Sequence, residues 1–282
     1  MFGVVSAQGV ARILQAPRTA DMAGKQGSAF ALSPDAALVR FGLAYGEKEP
    51  VVFDLAAASL TDSPSLPPKF LPPKVDGLPV TDWSDNYAPK FKGAKLAFDP
   101  YEWSMVMANR PDASGFALGT NFWVRAYDAK GEERWKQAGP GFAWGVDFSA
   151  DGAILAVAYG DGTIRWLRWS DGAELLALFV EPQSRKWVAW TPSGYYMASA
   201  GGEDLIGWHV NRGWTQEADF FPASQFRAQY DRPDRLPIAR SPQSPLAQRS
   251  RRSSRSRRRP AAPVSRATRS NSPTPCARRR AC

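Results

Sequence analysis

The chain repeats one order of apolar and polar positions. Each of the two clearest copies has an aromatic residue, a Ser/Thr turn, a run of small apolar residues, a Gly/Asp turn and then a strand that carries tryptophan. In the clearest copy Phe148 starts this order and Trp166 lies near its end. Trp190 and Trp208 hold the same two places 42 residues later. A repeat of this length is typical of folds built from small, stacked β-sheet units.

Asp-Gly turns divide the clearest copy into four strands. They recur every ten residues, at Asp151-Gly152, Asp161-Gly162 and Asp171-Gly172. Asp-Gly is a strong hairpin signal because the turn requires positive φ angles, which glycine adopts without strain. The run 154–158 is apolar throughout, as expected for a strand that neighbouring sheets cover on both faces. We therefore predict four antiparallel strands of one propeller blade, at residues 144–148, 154–159, 163–169 and 174–180.

Two weaker copies precede the clear ones. Phe98 begins one of them and Phe30 begins the other, and a Pro-rich insertion at residues 63–80 separates the two. These copies predict an all-β fold, a partial or small β-propeller of four-stranded antiparallel blades. The predicted divisions are an N-terminal segment (1–29) that could supply an outer strand, the blades (30–213), a post-propeller segment (214–234) and a C-terminal tail (235–282).

The composition changes abruptly after Asp234. Residues 235–282 hold 14 of the 36 basic residues, all of them arginine, and contain no acidic and no aromatic residue. The other 22 basic residues stand against 27 acidic ones, so residues 1–234 carry a formal net charge of −5 although the whole chain carries +9. We expect the tail to be disordered, because it has no apolar periodicity to pack. The mildly acidic body gives no reason to expect nucleic-acid binding.

Three interpretations of the tail stay open. As a basic arm it would bind nucleic acid by neutralising phosphates, and as a plain solvated extension it would do little. The third interpretation is a frame error, because Arg, Pro, Ala and Ser are the residues that out-of-frame translation of a GC-rich gene produces. Both cysteines, Cys276 and Cys282, lie in the tail, so we expect no disulfide and no thiolate chemistry in the body.

Several segments resemble known propeller proteins. Phe53-Asp54 and Tyr127-Asp128 resemble a decayed form of the Trp-Asp pair of WD40 repeats. Residues 187–213 and 218–226, closing with Arg232-Pro233-Asp234, are more specific. They resemble bacterial proteins in which a WD40-type propeller is joined to a caspase-like peptidase domain.

This resemblance covers about residues 25–234 and stops before a peptidase. Such an enzyme needs a cysteine nucleophile and a histidine about fifty residues earlier. Neither Cys276 nor Cys282 has the expected surroundings, and His209 is the only histidine. The resemblance therefore implies the recognition part of a caspase-like peptidase protein, a non-catalytic protein-interaction scaffold with an unidentified protein partner. The alternative is a nucleic-acid-associated protein that uses the tail.

Three aromatic residues are candidates for an interaction surface. Tyr195, Tyr196 and Trp214 could form an exposed contact patch, or they could pack in the core. The repeat residues are expected to be structural: Phe148, Asp161, Gly162, Trp166, Trp190 and Trp208. Gly-Gly-Glu-Asp at 201–204 replaces the turn Gly160-Asp161-Gly162 of the preceding copy and is predicted to be a turn too.

Arg125 and Arg165 occupy matching strand positions. We expect them to pair with carboxylates of neighbouring blades, such as Asp147, with a binding face as the alternative. A single histidine excludes histidine-cluster metal sites, and no Gly-rich nucleotide-binding loop is present, so no metal and no cofactor is expected. No apolar run is long enough to span a membrane, and no signal peptide opens the chain, so we expect a cytoplasmic protein without membrane contact.

Overall fold

The computed structural model describes residues 2–6, 9–14, 18–210, 212 and 219–237, with the backbone alone for residues 2–6, 9–14 and His209. The described residues form six antiparallel β-sheets, one four-residue helix, α1 (Arg227–Tyr230), and short 3-10 turns. The prediction of an all-β, partial propeller-like fold is confirmed. In the described ranges no helix is long and apolar enough to cross a membrane.

The first two sheets come from the N-terminal quarter of the chain. Strands β1 (Phe2–Ser6) and β2 (Gly9–Leu14) pair with each other. Blade 1 follows, with strands β3 (Phe30–Leu32), β4 (Leu38–Gly42), β5 (Pro50–Asp54) and β6 (Ser59–Asp62). A small sheet comes next, with β7 (Val80–Thr81), β8 (Lys90–Phe91) and β9 (Ala94–Lys95).

Two longer sheets and a hairpin complete the fold. Blade 2 consists of β10 (Ser104–Asn109), β11 (Gly115–Thr120), β12 (Trp123–Asp128) and β13 (Glu133–Ala138). Blade 3 consists of β14 (Ala143–Phe148), β15 (Ile154–Tyr159), β16 (Thr163–Arg168) and β17 (Glu174–Val180). Its sheet continues into β18 (Trp187–Trp190) and β19 (Tyr196–Ala198), and β20 (Gly207–Val210) pairs with β21 (Asp219–Pro222).

Blade 3 has the strands that its Asp-Gly turns predict. All four lie within one residue of the expected bounds and pair in sequence order. The turn glycines Gly152, Gly162 and Gly172 have φ angles of 65°, 84° and 72°. Because a side chain is strained in this region of backbone space, glycine is favoured at these turns, although Ala36 adopts a φ of 55° in the matching turn of blade 1.

The last copy of the repeat does not form a separate blade. Strand β18, which corresponds to the first strand of a new blade, pairs with β17 and extends the sheet of blade 3 to six strands. Strand β20, the third of the copy, leaves β19 and pairs with β21. A 3-10 turn at Gly202–Leu205 separates the two. Trp166 and Trp208 thus both lie in the third strand of their copies, but their sheets are paired differently.

Blade 3 packs between the other two blades. One hydrophobic core lies between blades 1 and 3, a second between blades 2 and 3, and a third between blade 2 and the small sheet. The segment after Phe70 joins blade 1 to blade 2, because Leu71 pairs with Leu32 and the backbone N–H of Asn109 donates to the Lys74 carbonyl. Blade 3 thus contacts both other blades, and the segment after Phe70 connects blade 1 to blade 2.

Two buried hydrogen bonds connect blade 3 to blade 1. The Asp147 carboxylate accepts the backbone N–H of Leu32 at 2.9 Å and that of Phe148 at 2.8 Å. The Trp166 indole donates to the carbonyl of Ala36 at 3.0 Å. Burial raises the pKa of Asp147 well above its usual range. These contacts hold two blades together that are distant in sequence.

The described chain ends beyond the predicted start of the tail. Leu236 is fully buried in the core between blades 1 and 3, so the packed structure extends through this residue. The expectation of a disordered tail falls on residues 238–282, which lie outside the described residues. Trp214, Cys276 and Cys282 lie outside them as well.

Candidate interaction surfaces

The last two strand pairs enclose an apolar groove. It has a volume of about 390 Å³ and is lined by Trp190, Gly194, Leu205, Ile206, Gly207 and Trp208. This volume is at the lower end of the range for ligand pockets, roughly 300–1,000 Å³. The groove exists because β20 leaves β19: in blade 3 the third strand pairs along the second, whereas here the 3-10 turn holds the two strands apart. We call this site the C-terminal groove.

Aromatic rings support one wall of the C-terminal groove. The Trp208 ring lies 4.9 Å from that of Tyr230 and 5.3 Å from that of Phe226. Tyr195 is half-buried and lies 6.1 Å from Tyr230. Within the described chain the Trp208 indole N–H has no hydrogen-bond partner, and Trp208 itself is half-buried. A donor and an aromatic face are therefore available at this wall.

The three predicted surface aromatics have different locations. Tyr196 is fully buried beneath the C-terminal groove, where its hydroxyl donates to the Ala223 carbonyl at 3.5 Å. Burial raises the pKa of this phenol. Tyr195 is next to the groove and Trp214 is outside the described residues. Of the three, only Tyr195 is placed at a surface that the structure describes.

The other repeat residues make contacts within and between blades. Phe148 is buried, and its ring meets that of Trp169 edge-on at 4.9 Å. Asp161 closes its turn by accepting the backbone N–H of Thr163 at 2.9 Å and the Thr163 hydroxyl at 2.6 Å. A Cβ on Gly162 would lie 2.8 Å from the Cβ of Thr19. These residues stabilise turns and cores and do not converge on a site.

The two matching arginines form ion pairs inside their own blades. Arg125 is buried, contacts Glu133 and reaches Glu102 at 2.6 Å. Arg165 reaches Glu174 at 2.7 Å. Glu133 and Glu174 each lie at or near the start of a fourth strand. Neither arginine pairs with Asp147, so that specific pairing is wrong, because the Asp147 carboxylate accepts the backbone N–H groups of Leu32 in blade 1 and of Phe148 instead.

Lys25 is a buried cation in the segment before blade 1. Burial lowers the pKa of Lys25 to about 8. Its ammonium donates to the carbonyls of Asp21, Ala44 and Gly46 at 2.9, 2.7 and 2.6 Å. Three acceptors use all three N–H groups of an ammonium. We therefore assign Lys25 a structural role.

A row of aromatic rings crosses the end of blades 2 and 3. Tyr87 lies 5.4 Å from Trp103, Trp103 lies 5.5 Å from Phe142, and Phe142 stacks on Trp144 at 5.3 Å. Tyr101 and Phe122 flank the row in neighbouring loops. We call these six residues the aromatic ridge.

Three residues of the aromatic ridge are solvent-exposed. Tyr101 is 84% exposed, Tyr87 64% and Phe122 45%. Asn121 fixes the two flanking loops, because its side chain accepts the N–H of Trp103 and donates to the carbonyl of Tyr101, both at 3.0 Å. The Trp103 indole nitrogen is buried without a hydrogen-bond partner in the described structure. Large exposed rings held by ordered loops are typical of contact surfaces.

Sequence reasoning missed the aromatic ridge. Five of its residues lie in loops: Tyr87 between β7 and β8, Tyr101 and Trp103 before β10, Phe122 between β11 and β12, and Phe142 before β14. Trp144 lies in β14 itself. An aromatic residue in a loop has no place in the repeat pattern, and this mismatch was the signal that could have indicated it. In the part of the chain that the structure describes, no group of three or more His, Cys, Asp or Glu residues is arranged to hold a metal ion.

Comparisons with known proteins leave the family open. No protein-family model matches the chain, and no curated protein matches it. One solved structure that matches is that of U3-55K, which is 9% identical; the match covers 66% of this chain and 54% of that one, with a TM-score of 0.27. The chain thus spans about half the length of this neighbour. A superposition of this quality defines no shared blade arrangement, so the fold assignment rests on the sheets described above.

Proposed function

We propose that the chain is a non-catalytic protein-interaction scaffold and that the aromatic ridge is its contact surface. The observation that carries this proposal is the exposure of Tyr87, Tyr101 and Phe122, which lie in loops that contact one another through Trp103 and Asn121. Interfaces are enriched in tyrosine, tryptophan and phenylalanine, which bury a large area with few rotatable bonds. Sheet-anchored loops add little ordering entropy on binding, so such a surface favours a protein partner.

The resemblance of residues 187–213 and 218–226 to caspase-associated propellers supports a narrower proposal. In this proposal the chain is the recognition part of a bacterial caspase-like peptidase protein, acts in the cytoplasm, and recruits or regulates the peptidase domain. The partner of the aromatic ridge would then be that domain or a protein that it acts on.

The aromatic ridge can be tested by removing its exposed rings. The full chain carrying Tyr101→Ser and Phe122→Ser is compared with wild type in quantitative cross-linking purification from cells that contain the gene. The control replaces two exposed hydrophobics elsewhere, Leu71 and Phe220, which are 51% and 64% exposed, with serine. We expect the ridge variant to lose its main cross-linked protein at least about tenfold, since truncating a central aromatic contact costs about 2 kcal/mol or more.

A partner that the ridge variant retains and the control loses would place the interface elsewhere. Thermal unfolding of both variants is measured to check that the fold is intact.

The narrower proposal has its own test, translation of the gene beyond the codon for Asp234 in the other two frames. We expect one frame to encode a helical segment and then His and Cys at peptidase spacing; stop codons in both would leave the basic tail, and with it nucleic-acid binding, as the alternative.

A further inference from the structure

We propose that the C-terminal groove binds the arginine-rich segment 238–282 of the same chain. The binding mode is arginine stacked on tryptophan, with neighbouring carboxylates as counter-charges. This inference goes beyond the scaffold proposal and does not depend on the aromatic ridge. It takes residues 238–282 as the genuine tail, so it is the alternative to the narrower proposal in which another reading frame encodes a peptidase.

The first argument is where the described chain ends. Arg235, the last described arginine before the segment, lies over the ring of Tyr195 at 5.8 Å, within the distance at which a guanidinium is attracted to an aromatic face. Tyr195 follows Gly194, which lines the C-terminal groove. The chain leaves the described structure two residues later, at Pro237. An arginine three residues before the segment is therefore already stacked on a ring next to the groove.

The second argument is the chemistry of the groove. Trp190 and Trp208 form its aromatic walls, and tryptophan is the best ring for a cation. Leu205 and Ile206 offer apolar surface to the aliphatic part of an arginine side chain. Residues 238–282 contain no aromatic residue and 13 arginines, so arginine is the residue by which this segment can use an indole face.

The third argument is charge. Residues 238–282 have no acidic residue, whereas residues 1–234 carry a net charge of −5. Asp204 adjoins Leu205 at the groove, and Asp231 pairs its backbone with Tyr196 below it. In the described chain neither carboxylate takes part in a salt bridge, whereas Glu203 is bound by Arg227. Beside the groove there is thus one glutamate that already binds an arginine, and two aspartates that form no salt bridge in the described chain.

Proximity makes this binding intramolecular. The nearest arginine, Arg240, is three residues beyond Pro237, so its effective concentration at the groove is on the order of millimolar. Weak individual contacts are then sufficient to keep the groove occupied, because another arginine of the segment replaces the one that leaves.

The experiment uses the full chain with one nitroxide label in the basic segment. Cys276 and Cys282 are the only cysteines, so both are changed to serine and the label is attached through Ser244→Cys. Paramagnetic broadening is measured on the indole N–H signals of the tryptophans. We expect Trp190 and Trp208 to broaden at least about threefold more than Trp123 and Trp135, which lie in blade 2 on the far side of blade 3, and added salt to weaken the effect.

Matched variants show which arginines act. Changing the four nearest arginines to glutamine, at positions 240, 249, 251 and 252, should abolish the selective broadening. The same change at 269, 278, 279 and 280 should preserve it. All eight positions lie outside the described part of the chain, and thermal unfolding of each variant checks that loss of the signal does not come from unfolding.

Three results would overturn the proposal. The first is equal broadening of all tryptophans. The second is selective broadening only between a labelled copy and an unlabelled, isotope-enriched copy, which would make the occupant a second molecule. The third is an unaffected groove together with salt-sensitive binding of a short DNA duplex by residues 238–282, which would make nucleic acid the ligand of the arginines.

Discussion

Replacing Trp166 with alanine tests the packing of blade 3 against blade 1. The Trp166 ring is fully buried and its indole donates to the Ala36 carbonyl at 3.0 Å. Deleting a buried tryptophan side chain costs about 3–5 kcal/mol through lost packing and the cavity that remains. For a folded region of this size each kcal/mol lowers the melting temperature by roughly 2–4 °C, so we expect a decrease of about 6–20 °C.

Two further variants divide this cost between packing and hydrogen bonding. Trp166→Phe keeps most of the ring but leaves the Ala36 carbonyl without its donor, and we expect a loss of about 1–3 kcal/mol. Trp208→Ala removes the repeat partner, whose ring is half-buried, and should cost only about 1–2 kcal/mol. The assay is thermal unfolding followed by far-ultraviolet circular dichroism.

The order of the three melting temperatures shows whether Trp166 holds blades 1 and 3 together. If Trp166→Ala melts within about 2 °C of wild type, or no lower than Trp208→Ala, then Trp166 does not hold the two blades together. If Trp166→Phe is as stable as wild type, the bond to Ala36 contributes nothing.

Two other substitutions test the blade contact and the turns. Because burial raises the pKa of Asp147 in the folded state, the folded protein binds this proton more tightly than the unfolded chain, and wild type should gain stability as the pH falls from neutral through the raised pKa. Asp147→Asn has no ionisable group at this position, so in urea unfolding wild type should gain stability relative to this variant as the pH falls through the raised pKa; parallel curves for the two proteins would exclude a raised pKa. Gly162→Ala should cost about 2–3 kcal/mol, since its φ is 84° and the new Cβ would meet Thr19 at 2.8 Å. Gly46→Ala, with a φ of 65° and nothing within 4 Å, should cost only about 1 kcal/mol, and equal urea midpoints would show that Thr19 moves aside.

Local pattern was sufficient to predict the blades. The Asp-Gly turns at 151–152, 161–162 and 171–172 set the bounds of four strands because each turn needs positive φ. The apolar run inside β15 predicted burial on both faces, and its residues from Leu155 to Tyr159 are buried. These properties depend on neighbours within about ten residues, so the amino-acid sequence alone determines them.

Contacts between distant segments could not be predicted in this way. Asp147 meets Leu32 across 115 residues, and Trp166 meets Ala36 across 130. The aromatic ridge likewise joins loops that are separated along the chain, such as those of Tyr87, Trp103 and Phe142. Which side chains meet depends on how whole sheets pack, and a repeat pattern contains no information on that packing.

In the last copy of the repeat, the sequence determines where the strands form, and the tertiary structure determines which strands pair. Its aromatic and turn positions match those of blade 3, and they correctly indicated strands around Trp190, Tyr196 and Trp208. Only the tertiary structure decided their partners. The free edge of β17 has backbone groups that need hydrogen bonds, and β18 satisfies them. Strand β20 then pairs with β21, and the separation of β20 from β19 creates the C-terminal groove.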